Sequence, residues 1–431
     1  MMRLQRALSR ILFLCCLGGL LAWNLFLVYK LATDLRLNDF GRFYYSAQAF
    51  LQGQDMYGPR PPEVAQASEL DGPQLGNMNP PHFHLLLLPF TLVSPKSALV
   101  LWGIVSLLCL ALVLRVTLQE SGVELTSRCR WFGILGILGF AGTAMVLVTG
   151  QLSLLLLLPV TLAWVQARRG HWSSVGGYLG LTMSIKPFLL IFLPYLVLRR
   201  QIRATLIAGI VGAGCFLVGL VVFGVEAHKA WLRELNAIHW VWANTNASLL
   251  GFLTRTLSES AVFSPVVNVP ELVKPLWCLS AGIVGVCSLR ATMTDTASAA
   301  SIDRDFAILL LAALLISPLG WAYYFWLPVG PFVASVQGWW ERGPSTNPRM
   351  ATSLLLWRKR LLLFALPGLV WPFVATSIFQ PHGWATVSIG SIYFWTILGL
   401  WGSLIVDWRA AGGIWVPLWT QNQQRRDPLH A

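Results

Sequence analysis

Charge is scarce in this sequence: Asp, Glu, Lys and Arg make up 11% of its 431 residues. A water-soluble domain carries about 25%, because something has to face solvent. A soluble globular protein of this length is therefore excluded. Charge is scarcer still inside the long apolar runs, where transporters and proton pumps keep the ionisable groups of their pathways. The seven cysteines (Cys15, Cys16, Cys109, Cys129, Cys215, Cys278 and Cys287) lie in or beside apolar runs and include no Cys-x-x-Cys pair. They read as packing residues, not as metal ligands or a disulfide framework. Gly-rich phosphate loops, metal-ligand spacings, internal repeats, low-complexity tracts and a separate soluble domain are all missing from the sequence. No metal and no cofactor is expected.

What the sequence has instead is apolar surface: 56% hydrophobic residues and a mean hydropathy of +0.63. A helix needs roughly 20 mostly apolar residues to span a bilayer, and such stretches recur from end to end. The net charge of +13 comes from basic clusters set between them. Basic clusters in that position mark cytoplasmic loops, not a nucleic-acid groove. Placing Arg128 and Arg130, Arg168 and Arg169, Arg199 to Arg203, Arg290 to Arg304, Arg342 to Arg360 and the tail from Arg409 inside lets the apolar segments alternate direction. The expected spans are Ile11–Leu31, a long one ending near Arg115, Trp131–Thr149, Leu152–Ala167, Val175–Ile185, Pro187–Leu198, Ala204–Phe223, Leu272–Leu289, Phe306–Leu319, Trp321–Trp339, Leu361–Ile378 and Val387–Val406. The expectation is an all-α polytopic membrane protein, one integral domain over residues 1–431, with about 12 crossings and both termini inside. The first span follows Arg3, Arg6 and Arg10 but is too long for a signal peptide's apolar region and lacks a small-x-small cleavage site, so it reads as uncleaved.

Two segments stay ambiguous. Val175–Ile185 and Pro187–Leu198, flanking Lys186-Pro187, are each short, and read either as two broken crossings or as one long span that reverses everything after it. Phe83–Val93, closed by Pro89 and Pro95, either crosses alone or is re-entrant. Two outer loops carry helical stripes: in the first, about 34–81, Phe40, Phe43, Tyr44, Ala47, Phe50 and Leu51 share one face. Asn38 or Asp39 is suited to cap that helix and Gly53 to end it. In the second, about 224–270, Trp231, Leu235, Ile238 and Trp242 repeat at helical spacing. Both are expected to lie on the membrane surface.

The unusual polar residues gather at the outer ends: Asp39, Gly150-Gln151, Lys186, Asn246 and Ser248, Arg255 and Ser317-Pro318. Each has a plain structural reading beside a functional one. Asp39 is either a helix cap or an acid–base group. Lys186 is a snorkelling terminus or an anion ligand, and Arg255 a loop charge or the same. Gln151 and Ser317 suit broken helix ends; His82 and His84, beside Pro80-Pro81, suit interfacial packing. Asn246-Ala-Ser248 also matches a glycosylation sequon.

Taken in order, Asp39-Phe40 with Tyr44-Tyr45, Gly53 and Tyr57, Pro80-Pro81, Gly150-Gln151, Lys186-Pro187, Asn246-Ala-Ser248 with Arg255, and Ser317-Pro318 with Trp321 resemble glycosyltransferase family 87. That family comprises the polyprenyl-phosphate-mannose-dependent mannosyltransferases of the GT-C superfamily. The resemblance implies a GT-C-type helix bundle with interfacial helices in its outer loops, in a bacterial plasma (inner) membrane, its active site facing outside. It implies a polyprenyl-phosphate sugar donor, most simply mannose, a hydroxyl of a lipid or glycan as acceptor, and a catalytic carboxylate at Asp39. Lys186, Arg255 and, third, Arg42 are the cations available to the leaving phosphate, with Gln151, Tyr44, Asn246, Ser248 and His82 as further substrate contacts. Where many relatives have histidine, this chain has Tyr323 and Tyr324, which hydrogen-bond but do not titrate near neutrality. The competing readings are a lipid-linked glycan transporter or flippase and a catalytically inactive assembly partner in the membrane.

Overall fold

In a computed structural model the described residues are 37–59, 76–122, 140–236, 240–260, 262–293, 298–341, 348–372 and 381–410, with scattered positions in 18–29 and 133–139. The first expected span, the arginines at 3, 6, 10, 128, 130 and 342, and Cys15, Cys16 and Cys129 lie wholly or mostly outside them. Helix is the only regular element among the described residues, apart from two isolated bridges. In chain order the helices are α1 (Asn38–Leu51), α2 (Pro95–Ser121), α3 (Ala141–Thr149), α4 (Ser153–Arg168), α5 (Trp172–Ile185), α6 (Phe192–Leu198), α7 (Ile202–Asn236), α8 (Leu249–Leu257), α9 (Val273–Ala291), α10 (Ala299–Ile316), α11 (Val329–Glu341), α12 (Pro348–Leu369) and α13 (Ile392–Ala410).

Helix α2 shows how sequence sets these elements. Ser94 accepts a hydrogen bond from the Ser97 amide, Pro95 fills the first position, and Gly122 ends the helix in the left-handed region at φ 68°. Leu99, Trp102, Ser106, Leu110, Val113 and Thr117 form its buried face. Leu101, Ile104, Leu108 and Leu112 form an exposed face that is entirely apolar, which suits lipid and not water. Among the described residues, four stretches are long and apolar enough to span a bilayer: Pro95–Ser121, Ile202–Asn236, Pro270–Ala291 and Trp384–Val406. Ser153–Arg168 and Pro187–Leu198 are apolar but shorter, so four stretches meet the criterion where about 12 crossings are expected.

Ion pairs define one end of the bundle. Arg168 Nε lies 3.3 Å from Asp303 Oδ1, which also accepts from Trp164 Nε1 at 2.8 Å. Arg199 pairs with Asp305, and Arg169 with Glu120. Arg168 and Arg199 thus meet carboxylates two residues apart on α10, so the chain between them leaves this end and comes back to it. That makes 172–198 two antiparallel legs with Lys186 at their far tip, and not one long continuous helix. Phe83–Val93 does not cross: Phe83 packs edge-on against Phe43, 5.2 Å between centroids, while the Val93 carbonyl accepts from Tyr44 Oη at 2.9 Å. Both ends touch adjacent residues of α1, and the run between is two 3-10 turns, Pro81–Leu86 and Leu88–Leu92.

Three boundaries differ from expectation. Helix α2 runs on past Arg115 to Ser121. Helix α7 kinks at Gly224 (φ 78°) and continues as the expected outer helix only to Asn236. Of the expected stripe, Trp231 and Leu235 lie on this helix, Trp242 falls in a turn segment, and Ile238 lies outside the described residues. Finally, α1 has no side-chain cap: Leu37 stands at the N-cap position, and Asp39 lies within the first turn.

Candidate active site

The end opposite the ion pairs is assembled around the start of α1. Asn38, at φ 41°, turns its amide to the Val148 carbonyl at 2.8 Å, docking α1 on the last turn of α3. The next residues complete that docking. Gly150 sits in the left-handed region, φ 68°, and a β-carbon there would lie 2.5 Å from Phe40 Cβ and 2.9 Å from Leu99 Cδ1. Only glycine meets both demands. The turn it makes delivers Gln151, whose Nε2 donates to Asp39 Oδ2 at 2.7 Å. Thus the carboxylate is held by a side chain from the turn between α3 and α4, not spent on capping its own helix. Its side chain remains 22% exposed, and its Oδ1 lies 3.6 Å from Arg42 Nη1 one turn on.

Arg42 is buried, with its guanidinium 4.4 Å from the Trp240 ring centroid and Nη1 reaching the Gly76 carbonyl at 3.4 Å. Its Nε and Nη2 are buried with no hydrogen-bond partner. Lys186 comes from a separate element, the joint after α5. Pro187 forces it out of helical geometry, to φ −129° and ψ 93°. Its Nζ donates to Asn79 Oδ1 at 2.8 Å and lies 5.8 Å from the Tyr324 ring centroid. Burial pulls this amine down to about 8, against the opposing pull of the Asp39 charge. Tyr323 packs edge-on to Tyr324 at 4.7 Å and stacks on Trp321 at 5.9 Å; both Asp39 and Arg42 act on it electrostatically. Asp39, Arg42, Gln151, Lys186, Tyr323 and Tyr324 are therefore one constellation.

The remaining expected residues hold structure around it. Asn246 is fully buried; its Nδ2 donates to the Val241 and Pro318 carbonyls (2.9 and 3.0 Å), and its Oδ1 accepts from the Ser248 and Gly320 amides (3.2 and 2.9 Å). An asparagine so enclosed is no glycosylation acceptor in the folded chain. Ser248 caps α8 through the Gly251 amide and donates to the Pro318 carbonyl at 3.1 Å. Asn246-Ala-Ser248 and Ser317-Pro318 thus interlock; Ser317 Oγ accepts from the Leu319 amide at 3.2 Å. Arg255, also fully buried, gives Nη1 to the Ala243 and Asn246 carbonyls (2.6 and 3.1 Å) and Nε to Ser391 Oγ at 3.1 Å. It ties the 240–246 turns to α8. Tyr44 spends its hydroxyl on Val93. His82 Nε2 lies 3.2 Å from Ser184 Oγ, and burial, aided by His228, drops its pKa to about 4. Asn77, Asn79 and Trp240 were not among the expected residues. An asparagine beside Pro80-Pro81 reads as an ordinary turn residue, and no sequence signal marks these.

The match to the model of glycosyltransferase family 87 covers residues 77–318, more than half the chain. The chain belongs to glycosyltransferase family 87. The matched stretch contains Gln151, Lys186, Asn246, Ser248 and Arg255, and ends within Ser317-Pro318; Asp39, Arg42, Tyr323 and Tyr324 lie outside it. Among curated relatives, a polyprenol-phosphate-mannose-dependent alpha-(1-2)-phosphatidylinositol mannoside mannosyltransferase of Mycobacterium tuberculosis is 25% identical over 346 residues, 75% of each chain. A protein of the same name from Mycolicibacterium smegmatis is 28% identical over 192 residues, 42% of this chain and 41% of its own. No solved structure matches. The protein is a membrane-embedded glycosyltransferase.

Proposed function

We propose that this protein moves mannose from a polyprenyl-phosphate donor to a hydroxyl of a lipid or glycan acceptor, at the extracytoplasmic face of a bacterial plasma membrane. The observation that carries the reading is one carboxylate, Asp39, sharing a constellation with two cations from separate elements, Arg42 and Lys186. The constellation lies at the end of the bundle away from the paired arginines, and arginine-rich ends face the cytoplasm. The names of the relatives support the donor, and the whole chain acts as one GT-C-type membrane domain.

Asp39 accepts the proton of the acceptor hydroxyl as that oxygen attacks the anomeric carbon. The bond from that carbon to the phosphate oxygen breaks on the opposite side, and the electron pair leaves with the polyprenyl phosphate. A β-linked donor gives an α-mannoside. Gln151 aims the carboxylate, Lys186 and Arg42 receive the leaving phosphate, and the hydroxyls of Tyr323 and Tyr324 hydrogen-bond sugar or phosphate. Helix α5 has 14 residues, a rise of ~21 Å against a hydrocarbon thickness of ~30 Å. On this reading the isoprenoid-linked phosphate reaches Lys186 from the lipid side. The test incubates purified protein with polyprenyl-phosphate sugars and membrane glycolipid acceptors, then reads the product mass. Hexose addition from the mannose donor is expected; a protein that releases no polyprenyl phosphate from any donor refutes the proposal.

A further inference from the structure

Behind Lys186 stand polar side chains whose hydrogen bonds fix one another's orientation. His84 is fully buried, with Nδ1 3.3 Å from the Pro81 carbonyl. A carbonyl only accepts, so Nδ1 carries the proton and Nε2 is an acceptor. Burial keeps the ring neutral, its pKa drawn down to about 3. Nε2 meets Asn77 Nδ2 at 2.6 Å, and the same nitrogen donates to Ser46 Oγ at 2.8 Å, whose own proton goes to the Met56 carbonyl. Both Asn77 amide hydrogens are thus used. Its Oδ1 must accept, and it takes the Asn79 backbone amide at 3.0 Å and Asn79 Nδ2 at 3.1 Å. One orientation is left for Asn79: Oδ1 toward the Lys186 amine, 2.8 Å away.

Every member of this relay is neutral. A buried cation is ordinarily paired with a carboxylate, because burying uncompensated charge is costly. Here an amide oxygen holds the amine and cancels nothing. The charged and titratable groups around that amine are Asp39 and Arg42 from α1, His82 and His84 from the Pro81–Leu86 turn, and Tyr323 and Tyr324. Arg42 is buried with two guanidinium nitrogens unpartnered. Two cations over one carboxylate leave a positive charge for an incoming anion.

We infer that Asn79, oriented by Asn77 and His84, is a positioning residue that presents the Lys186 amine to the donor phosphate without neutralising it. This rests on the transferase reading above. The test is binding of polyprenyl phosphate alone, the sugar-free leaving group, to the purified full-length protein across pH. Asn79→Asp keeps shape but supplies the carboxylate the relay avoids. It should weaken binding about tenfold or more, the worth of one charge-assisted hydrogen bond, and shift the alkaline loss of binding to higher pH as the new carboxylate holds the lysine proton. A merely structural role moves stability without moving that pH limb. In the wild-type protein, acylation of Lys186 mapped by peptide mass should rise through about pH 8 and be blocked by polyprenyl phosphate. Unchanged binding and pH dependence in a folded Asn79→Asp, or Lys186 acylation indifferent to polyprenyl phosphate, overturns the inference. Neither readout needs acceptor or turnover, so each fails separately from the transferase reading, which stands on product formation.

Discussion

Lys186 and Arg42 illustrate what single residues disclose. A lysine ahead of proline at a break between two apolar runs is visible in sequence as a site candidate, and in the structure the Asp39 charge acts on its amine. Arg42 stood behind Arg255 as a candidate cation for the leaving phosphate. Their difference lies in partners: Arg255 hydrogen-bonds the carbonyls of Ala243 and Asn246 and Ser391 Oγ, leaving Nη2 without a partner, while Arg42 leaves both Nε and Nη2 without one beside Asp39. Backbone carbonyls leave no trace in a residue's spacing, so this could not be read in advance. The lowered Lys186 amine carries a pH prediction. It is charged below about 8 and loses its proton as pH rises through that value, so donor binding should weaken there. The KM for donor should climb between pH 7 and 9 in the wild-type enzyme, with a flatter climb in Lys186→Arg, since guanidinium stays charged. A donor KM indifferent to pH in the wild type would remove Lys186 from the phosphate site.

At the scale of elements, length and periodicity revealed α1, α2 and the outer part of α7, but not the path of short apolar runs. The eleven mostly apolar residues from Phe83 to Val93 suit a lone crossing or a re-entrant segment equally by pattern. Contacts with Phe43 and Tyr44 decide among them, and those are tertiary. The Gly150 turn is the element-scale joint on which the site depends. Gly150→Ala sets a β-carbon against Phe40 in a left-handed backbone, and should cost about 1–3 kcal/mol of stability. It should also lower turnover by separating Gln151 from Asp39. Denaturation midpoints and initial rates measured together check this, and a variant with native values of both would mean the α1–α3 contact is dispensable. Arg255→Gln, by contrast, should lower the denaturation midpoint more than it alters donor KM, because its hydrogen bonds hold the 240–246 turns to α8 and Ser391.

Across the whole molecule, scarce charge announced the membrane, and the arginine clusters predict its sides. The ion pairs of Arg168 and Arg199 with one helix settle the course of 169–198, which sequence left open because each half is too short to judge. The arginine-rich end also predicts an orientation in the membrane. A Gln54→Cys protein should be labelled by impermeant thiol reagent on intact cells, and His171→Cys only after permeabilisation; the reverse pattern would turn the site to the cytoplasm. The central claim is that Asp39 takes the acceptor proton in transfer from a polyprenyl-phosphate mannose, and Asp39→Asn tests it most directly. Asparagine keeps the size, and its Oδ1 can still accept from Gln151, so the variant should fold and insert normally. It should bind polyprenyl phosphate, yet lose mannose transfer by at least about two orders of magnitude, the scale of a missing general base. Near-native transfer by Asp39→Asn with the same donor and acceptor would contradict the account.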